Sequence, residues 1–146
     1  MKNSLYIVIA GCGKLGSYLA NQLSRQGNLL VIIDRNESTF ENLSTDFSGF
    51  RVEGDASRIT VLKEAKMNQA DWVIATTNDD NINLMVAQVA REVFKVPHVL
   101  ARVFDPKREQ VYTQLGIETY CPTSVAAQMF LRAVTNTKTG QEMVKL

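Results

Sequence analysis

"IVIAGCGKLGSYLANQL", residues 7–23, begins as an apolar run and ends as an amphipathic stretch, with Gly11, Gly13 and Gly16 between. Glycine costs order in strands and helices alike, so three of them at this junction need a reason. Two readings compete. One is a phosphate cradle between a strand and a helix. The other is a secretory signal, because Ile9-Ala10-Gly11-Cys12 also resembles the cleavage box of a bacterial lipoprotein. A signal needs a basic start and about 7–15 apolar residues. Here the strictly apolar run, Leu5 to Ala10, is six residues long. Beyond Cys12, Leu15, Leu19 and Leu23 continue the hydrophobic pattern where a polar tether would be expected. The cradle is the better reading.

The chain has 146 residues, enough for one domain with a real core and too few for two comfortable ones. Apolar residues make up 45% and charged residues 21%, ordinary values for a globular chain. A net charge of +1 gives no electrostatic footprint for nucleic acid or an acidic membrane surface. No apolar run approaches the roughly 18 residues of a membrane span. Cys12 and Cys121 stand 109 positions apart and form neither a disulfide framework nor a metal pattern. A single histidine, His98, excludes a His-based metal cluster within one chain. These features predict a cytoplasmic protein.

Short apolar runs alternate with helical patterns along the whole sequence. Strands are expected at Leu5–Ala10, Leu29–Asp34, Phe50–Glu53, Trp72–Thr76, His98–Val103 and Glu118–Cys121. The central ones are apolar on both faces, as buried parallel strands are. Helices are expected at Lys14–Arg25, Ser38–Asp46, Ser57–Ala65, Asp80–Phe94 and Pro106–Leu115. Asp79 precedes an apolar-periodic run, and Asp105-Pro106 places a cap before a proline at the first helical position. Gly27 and Gly116 stand where helices should stop. The alternation predicts an α/β, doubly wound, Rossmann-type parallel sheet of about six strands, covered on both faces. One more helix, Thr123 to about Val134, should follow, with Val125, Ala126, Met129, Phe130, Ala133 and Val134 at helical spacing. This divides the chain into a nucleotide-binding unit, 1–135, and a polar, frayed tail, 136–146.

Gly11-Cys12-Gly13-Lys14-Leu15-Gly16 matches G-x-G-x-x-G, and it follows a predicted strand and opens a predicted helix, the context that gives the motif meaning. Gly11 would make the tight turn. Gly13 would let the backbone approach a pyrophosphate, and Gly16 would let the helix pack closely on the sheet. The first N–H groups of the helix and its dipole would stabilise phosphate charge. Asp34 ends "LLVIID", 18 residues after Gly16, where a carboxylate accepts hydrogen bonds from both ribose hydroxyls. It would repel a 2′-phosphate and so favours NAD(H) or an adenine nucleotide. Arg35 pulls the other way, because a neighbouring arginine accommodates a 2′-phosphate. A helix cap is the competing role for Asp34.

Two more loops fall at the C-terminal ends of strands, where ligands bind in such sheets. In Gly54-Asp55-Ala56-Ser57, Asp55 is placed to accept from an adenine amino group, or to cap the next helix. In Thr76-Thr77-Asn78-Asp79, small polar residues suit ribose and phosphate contacts, or again a cap. Cys12 reads as a small buried filler, although a helix N-terminus would lower its pKa and make it a redox thiol. A dehydrogenase also needs a group that moves a proton beside the hydride acceptor. His98 lies at the start of the fifth strand, at the wrong end, and no Ser-His-Asp or Cys-His set is available. A binding module is therefore favoured. The alternative is a small NAD(P)-dependent oxidoreductase or its isolated cofactor domain.

Four stretches carry a resemblance: "IVIAGCGKLGSYLANQL", "VIIDRN", "VEGDASRITVLKEAKMNQADWVIATTNDDNINL" and "VLARVFDPKREQVYTQLGIETYCPTSVAAQMF". Together they resemble the nucleotide-binding domain of potassium transport and channel regulators, the Trk/Ktr-type regulatory subunits and the RCK (KTN) domains. The resemblance runs from about residue 5 to 135. It implies a domain that binds NAD(H), ATP, ADP or AMP, dimerises, and assembles into a ring under a membrane pore. The partner would be an integral membrane potassium transporter subunit, and the chain would sit against the inner face of the cell membrane. Lys14 takes the place of a basic residue facing phosphates. Arg102 matches the family's Ala-Arg after the fifth strand, a phosphate or partner contact, with a surface salt bridge as the competing role. Many members carry a second, smaller regulatory domain; here its place would fall to a separate regulatory-domain protein, unless this sequence is a piece of a longer one.

Overall fold

The computed structural model describes residues 3–144, with 139–144 described as helical backbone only. Six strands form one sheet: β1 (Tyr6–Ala10), β2 (Leu29–Asp34), β3 (Phe50–Glu53), β4 (Trp72–Ala75), β5 (His98–Arg102) and β6 (Glu118–Tyr120). All pairings are parallel, in the order β3-β2-β1-β4-β5-β6. The helices are α1 (Lys14–Arg25), α2 (Ile59–Glu64), α3 (Asp80–Glu92), α4 (Glu109–Gln114) and α5 (Pro122–Val144). The chain thus winds outward from β1 to β3, then crosses back to β4 on the other side of β1. The loops after β1 and β4 diverge there, and that divergence opens a crevice at the C-terminal edge of the sheet.

Val8, Ala10, Val31, Ile33, Val73 and Ala75 point to one face, where they pack with Leu62, Val86, Ala87 and Tyr112 of α2, α3 and α4. Ile7, Ile9, Leu30 and Ile32 point to the other, against Ala20 of α1 and against Leu43 and Phe47. Each fully buried Val, Leu or Ile among them contributes roughly 1.5–3 kcal/mol. Cover on the α1 face is incomplete. Over the β5–β6 side Leu100 is only half-buried and Tyr120 is exposed.

Several expected helices are shorter than their periodicity suggests. Ser38–Asp46 is not an α-helix: a 3-10 helix spans Glu37–Asn42, and a bend at Leu43 and a turn at Thr45–Asp46 follow. Asn36 accepts from the Ser38 amide, and the Thr39 hydroxyl donates to the Asn36 carbonyl at 2.8 Å, so side chains tie up the backbone that an α-helix would use. Phe40, Leu43 and Phe47 carry the helical spacing because all three pack toward α1's core. The Ser57–Ala65 helix is reduced to α2, since Asp55 binds the Ser57 amide and hydroxyl and Arg58 is extended. Pro106–Leu115 divides into a 3-10 turn, Pro106–Arg108, and α4.

At the other extreme, α5 begins at Pro122 and runs on through Val144, so the stretch read as a frayed tail from 136 is helical as far as it is described. It does not fold back to complete the α1 face. Val125, Met129, Phe130, Leu131 and Val134 remain 46–73% exposed.

Candidate functional site

The crevice begins where β1 ends. The Gly11 amide donates to the Ile33 carbonyl at 2.7 Å, turning the chain across the top of β2. Gly11 has φ +108°, and a Cβ there would stand 2.8 Å from the Thr76 carbonyl and the Thr77 nitrogen. A side chain is excluded on both counts. At Gly16 a Cβ would fall 1.9 Å from the Gly11 carbonyl oxygen, so α1 leaves the sheet only because this residue has no side chain. Gly13 is different: a Cβ there would meet nothing within 4 Å. It borders open space at the cap of α1. The first bond into the helix runs from Ser17 N to Gly13 O, and the preceding amides of the turn lack intrahelical partners.

Around this turn lies a cleft of about 260 Å³. On the β2–β3 side it is lined by Ile33, Asp34, Arg35, Asn36, Thr39, Gly54, Asp55 and Ala56, and on the β4 side by Thr76, Thr77, Asn78, Asp79 and Ile82, with Gly11 and Gly13 between. Asp34 does not cap a helix. Its Oδ2 accepts from the Cys12 amide and its Oδ1 from the Asn36 amide, both at 2.8 Å. Each oxygen keeps a lone pair for a ligand hydroxyl. Asp55 bonds the Ser57 hydroxyl at 2.7 Å and the Ser57 amide at 2.8 Å, and these bonds, the hydroxyl's first, hold its carboxyl below the usual carboxylate range. Arg35 and Arg58 add a smaller pull in the same direction.

Nine of the anticipated site residues therefore line the cleft: Gly11, Gly13, Asp34, Arg35, Asp55, Ala56, Thr76, Thr77 and Asn78. Five do not. Leu15 and Gly16 belong to α1 and do not border it, and Lys14 opens the helix with an exposed side chain. Cys12 is fully buried, as a filler should be, with its thiol 3.4 Å from the Thr39 carbonyl. Burial, aided by the Asp34 charge, pushes that thiol up to about 11, the reverse of the lowering expected at a helix start. Arg102 makes no surface salt bridge among the described residues. It folds under the β4 loop, donating from Nη2 to the carbonyls of Thr76 and Thr77 at 2.7 Å each, with its guanidinium 4.4 Å over the Phe104 ring.

Asn83 escaped the sequence reading. It is fully buried in α3 and bonds the Thr77 amide, hydroxyl and carbonyl. A signal was available: it sits on the apolar face of α3 with Val86, Ala87 and Ala90, where a polar residue is out of place unless its bonds are met inside.

The glycine turn, the acidic residue closing β2 and the switch point between β1 and β4 form one site. The family model of the TrkA-N domain matches residues 7–122. The chain belongs to the TrkA-N domain family. Within it, the Trk system potassium uptake protein TrkA of Streptomyces coelicolor is 41% identical over 128 residues, 88% of this chain and 57% of its own length. A homolog of that protein from Methanothermobacter thermautotrophicus is 30% identical over 141 residues, 96% of this chain and 65% of its own. The chain thus spans less than two thirds of either relative.

Solved structures share the TrkA-N fold. The GsuK RCK domain superposes with a TM-score of 0.78 at 24% identity, covering 95% of this chain and 30% of that one. The Shewanella denitrificans Kef CTD in its AMP-bound form gives 0.75 at 24% identity, covering 90% and 81%. The GsuK channel bound to NAD gives 0.67 at 20% identity, covering 83% and 22%.

Proposed function

We propose that this TrkA-N chain is a nucleotide-sensing regulatory unit of a potassium transport system, and not an enzyme. One observation carries the reading: Gly13 borders open space at the start of α1 while Asp34 borders the same cleft from β2. Phosphate charge is stabilised at the first, by unpaired amides and the helix dipole. Ribose hydroxyls are recognised at the second. NAD(H), ATP, ADP and AMP all combine these two groups, and two structural neighbours hold AMP and NAD. Against an oxidoreductase, His98 stacks on Trp72 with ring centroids 4.4 Å apart, at the end of the sheet opposite the cleft.

The curated relatives are potassium uptake proteins, which supports an integral membrane potassium transporter subunit as partner. No described helix is long and apolar enough to cross a membrane. Likeness to potassium uptake proteins supports a place in the cytoplasm against the inner face of the cell membrane. The exposed apolar face of α5 supports a homodimer, or a higher ring built from it. Nucleotide exchange in the cleft would alter that assembly and so gate ion flux.

Mass spectrometry of the ligand retained after purification tests the core of this reading, with calorimetry for NAD(H), AMP, ADP and ATP. Saturable binding without turnover of reduced nicotinamide is the expected result. Turnover with a candidate substrate would return the oxidoreductase.

A further inference from the structure

Three hydrogen bonds tie Asn83 to Thr77. The Asn83 Oδ1 accepts from the Thr77 amide at 2.8 Å and from its hydroxyl at 2.6 Å. Its Nδ2 donates to the Thr77 carbonyl and to the Arg102 carbonyl, both at 3.0 Å. A carboxamide has two acceptor sites and two donors, so its capacity is full. Both polar groups of the Thr77 backbone are held by one buried side chain, and its carbonyl is held a second time by Arg102. The loop is thereby fixed from beneath, and its upper surface forms one wall of the cleft.

The cleft has a direction. On the nucleotide reading, a nucleoside whose ribose met Asp34 would lie over β2, with its first phosphate at Gly13 above β1. Whatever extended past that phosphate would lie over β4, against Thr77 and Asn78. AMP would end before that wall, and NAD and ATP would reach it.

We propose that Asn83 is a positioning residue for the far side of the cleft: it holds the Thr77 peptide where ligands longer than a mononucleotide meet it. This rests on the nucleotide reading above. The test is calorimetry of AMP and NAD+ binding to the full chain and to Asn83→Ala, with circular dichroism to follow folding. Asn83→Ala should weaken NAD+ about tenfold or more, because buried groups lose partners and the wall shifts. AMP should stay within about twofold, since its contacts lie elsewhere. Asn83→Leu keeps close to the shape of the side chain and leaves no cavity, but it loses all four bonds. It should show the same order of effects, and it decides the matter if Asn83→Ala does not fold. ATP replaces NAD+ if the wild type takes AMP but not NAD+.

Equal losses for both ligands in a folded variant, or no loss for either, would overturn the proposal. So would the unfolding of both variants, which would make Asn83 a folding residue alone. A wild-type chain that binds no nucleotide would overturn the nucleotide reading itself, a failure separable from the others because it needs no variant.

Discussion

The amide of Cys12 donates to Asp34 Oδ2 at 2.8 Å, across 22 positions of sequence. This bond fastens the glycine turn to the end of β2, so the carboxylate proposed to meet ribose also shapes the proposed phosphate cradle. Asp34→Ala should therefore weaken adenosine nucleotides through both. Each lost bond to a charged acceptor costs roughly 1.5–3 kcal/mol at most, less where water replaces it. Calorimetry should read a loss of about tenfold or more. Unchanged affinity would leave Asp34 with its tether role only.

Gly13 and Gly16 should fail in different ways. Gly13 has φ −77°, which any residue adopts, and open space beyond it. Gly13→Val should keep its melting temperature near that of the wild type and lose nucleotide binding by blocking the cradle. Gly16→Ala places a methyl 1.9 Å from the Gly11 carbonyl oxygen. That variant should lose stability, by roughly 1–3 kcal/mol for overpacking a tight contact, in a thermal melt without ligand. The reverse pattern would sink the phosphate assignment.

Lys14 is exposed on the first turn of α1 and does not line the cleft. A mobile point charge there should attract ATP more than ADP, and ADP more than AMP. Lys14→Ala should weaken ATP most, and the defect should shrink as salt rises. A loss equal for AMP and ATP and insensitive to salt would remove Lys14 from the site.

The Cys12 thiol carries a pH signature. Its pKa is raised to about 11 in the folded chain, above the roughly 8.5 of an unfolded cysteine. The native state thus keeps a proton that the unfolded state releases. The contribution is complete below about pH 8.5 and is lost as pH rises toward 11. In that window stability should fall with pH by up to about 1.4 kcal/mol per unit for one proton. Denaturant melts of the wild type and of Cys12→Ala, compared between pH 8 and 10.5, should show a shallower alkaline decline in the variant; parallel curves would refute the shift.

Met129 and Phe130 are 63% and 73% exposed on α5. A second copy of the chain would cover them, and two-fold symmetry would use each contact twice. Replacing both with Asp should yield a folded, nucleotide-binding monomer by light scattering and circular dichroism. A wild type already monomeric at micromolar concentration, or a double variant that unfolds, would defeat the dimer.

Much of this molecule is legible along the chain because its causes are local. An apolar run, three glycines and an amphipathic stretch determine β1, the turn and α1, since each role depends on neighbours a few positions away. Asp34 is found by counting to the end of the next strand. The Asp79 cap, which accepts from the Asn81 and Ile82 amides, is likewise a matter of two or three positions. Periodicity over Ser38–Asp46 misled for the complementary reason: it reports which residues face the core, and both helix types and a bent loop can satisfy that.

Other features were settled only by tertiary structure. Arg102 is a basic residue after a strand in the sequence, yet carbonyls 25 and 26 positions away draw its side chain beneath the β4 loop. Asn83 reaches 19 positions forward to Arg102, a bond that exists only once β4 and β5 lie side by side. The outward path of α5 is of the same kind. Its spacing marks an apolar face, but a helix gains the same area against its own sheet or another surface, and only the three-dimensional arrangement leaves that face open.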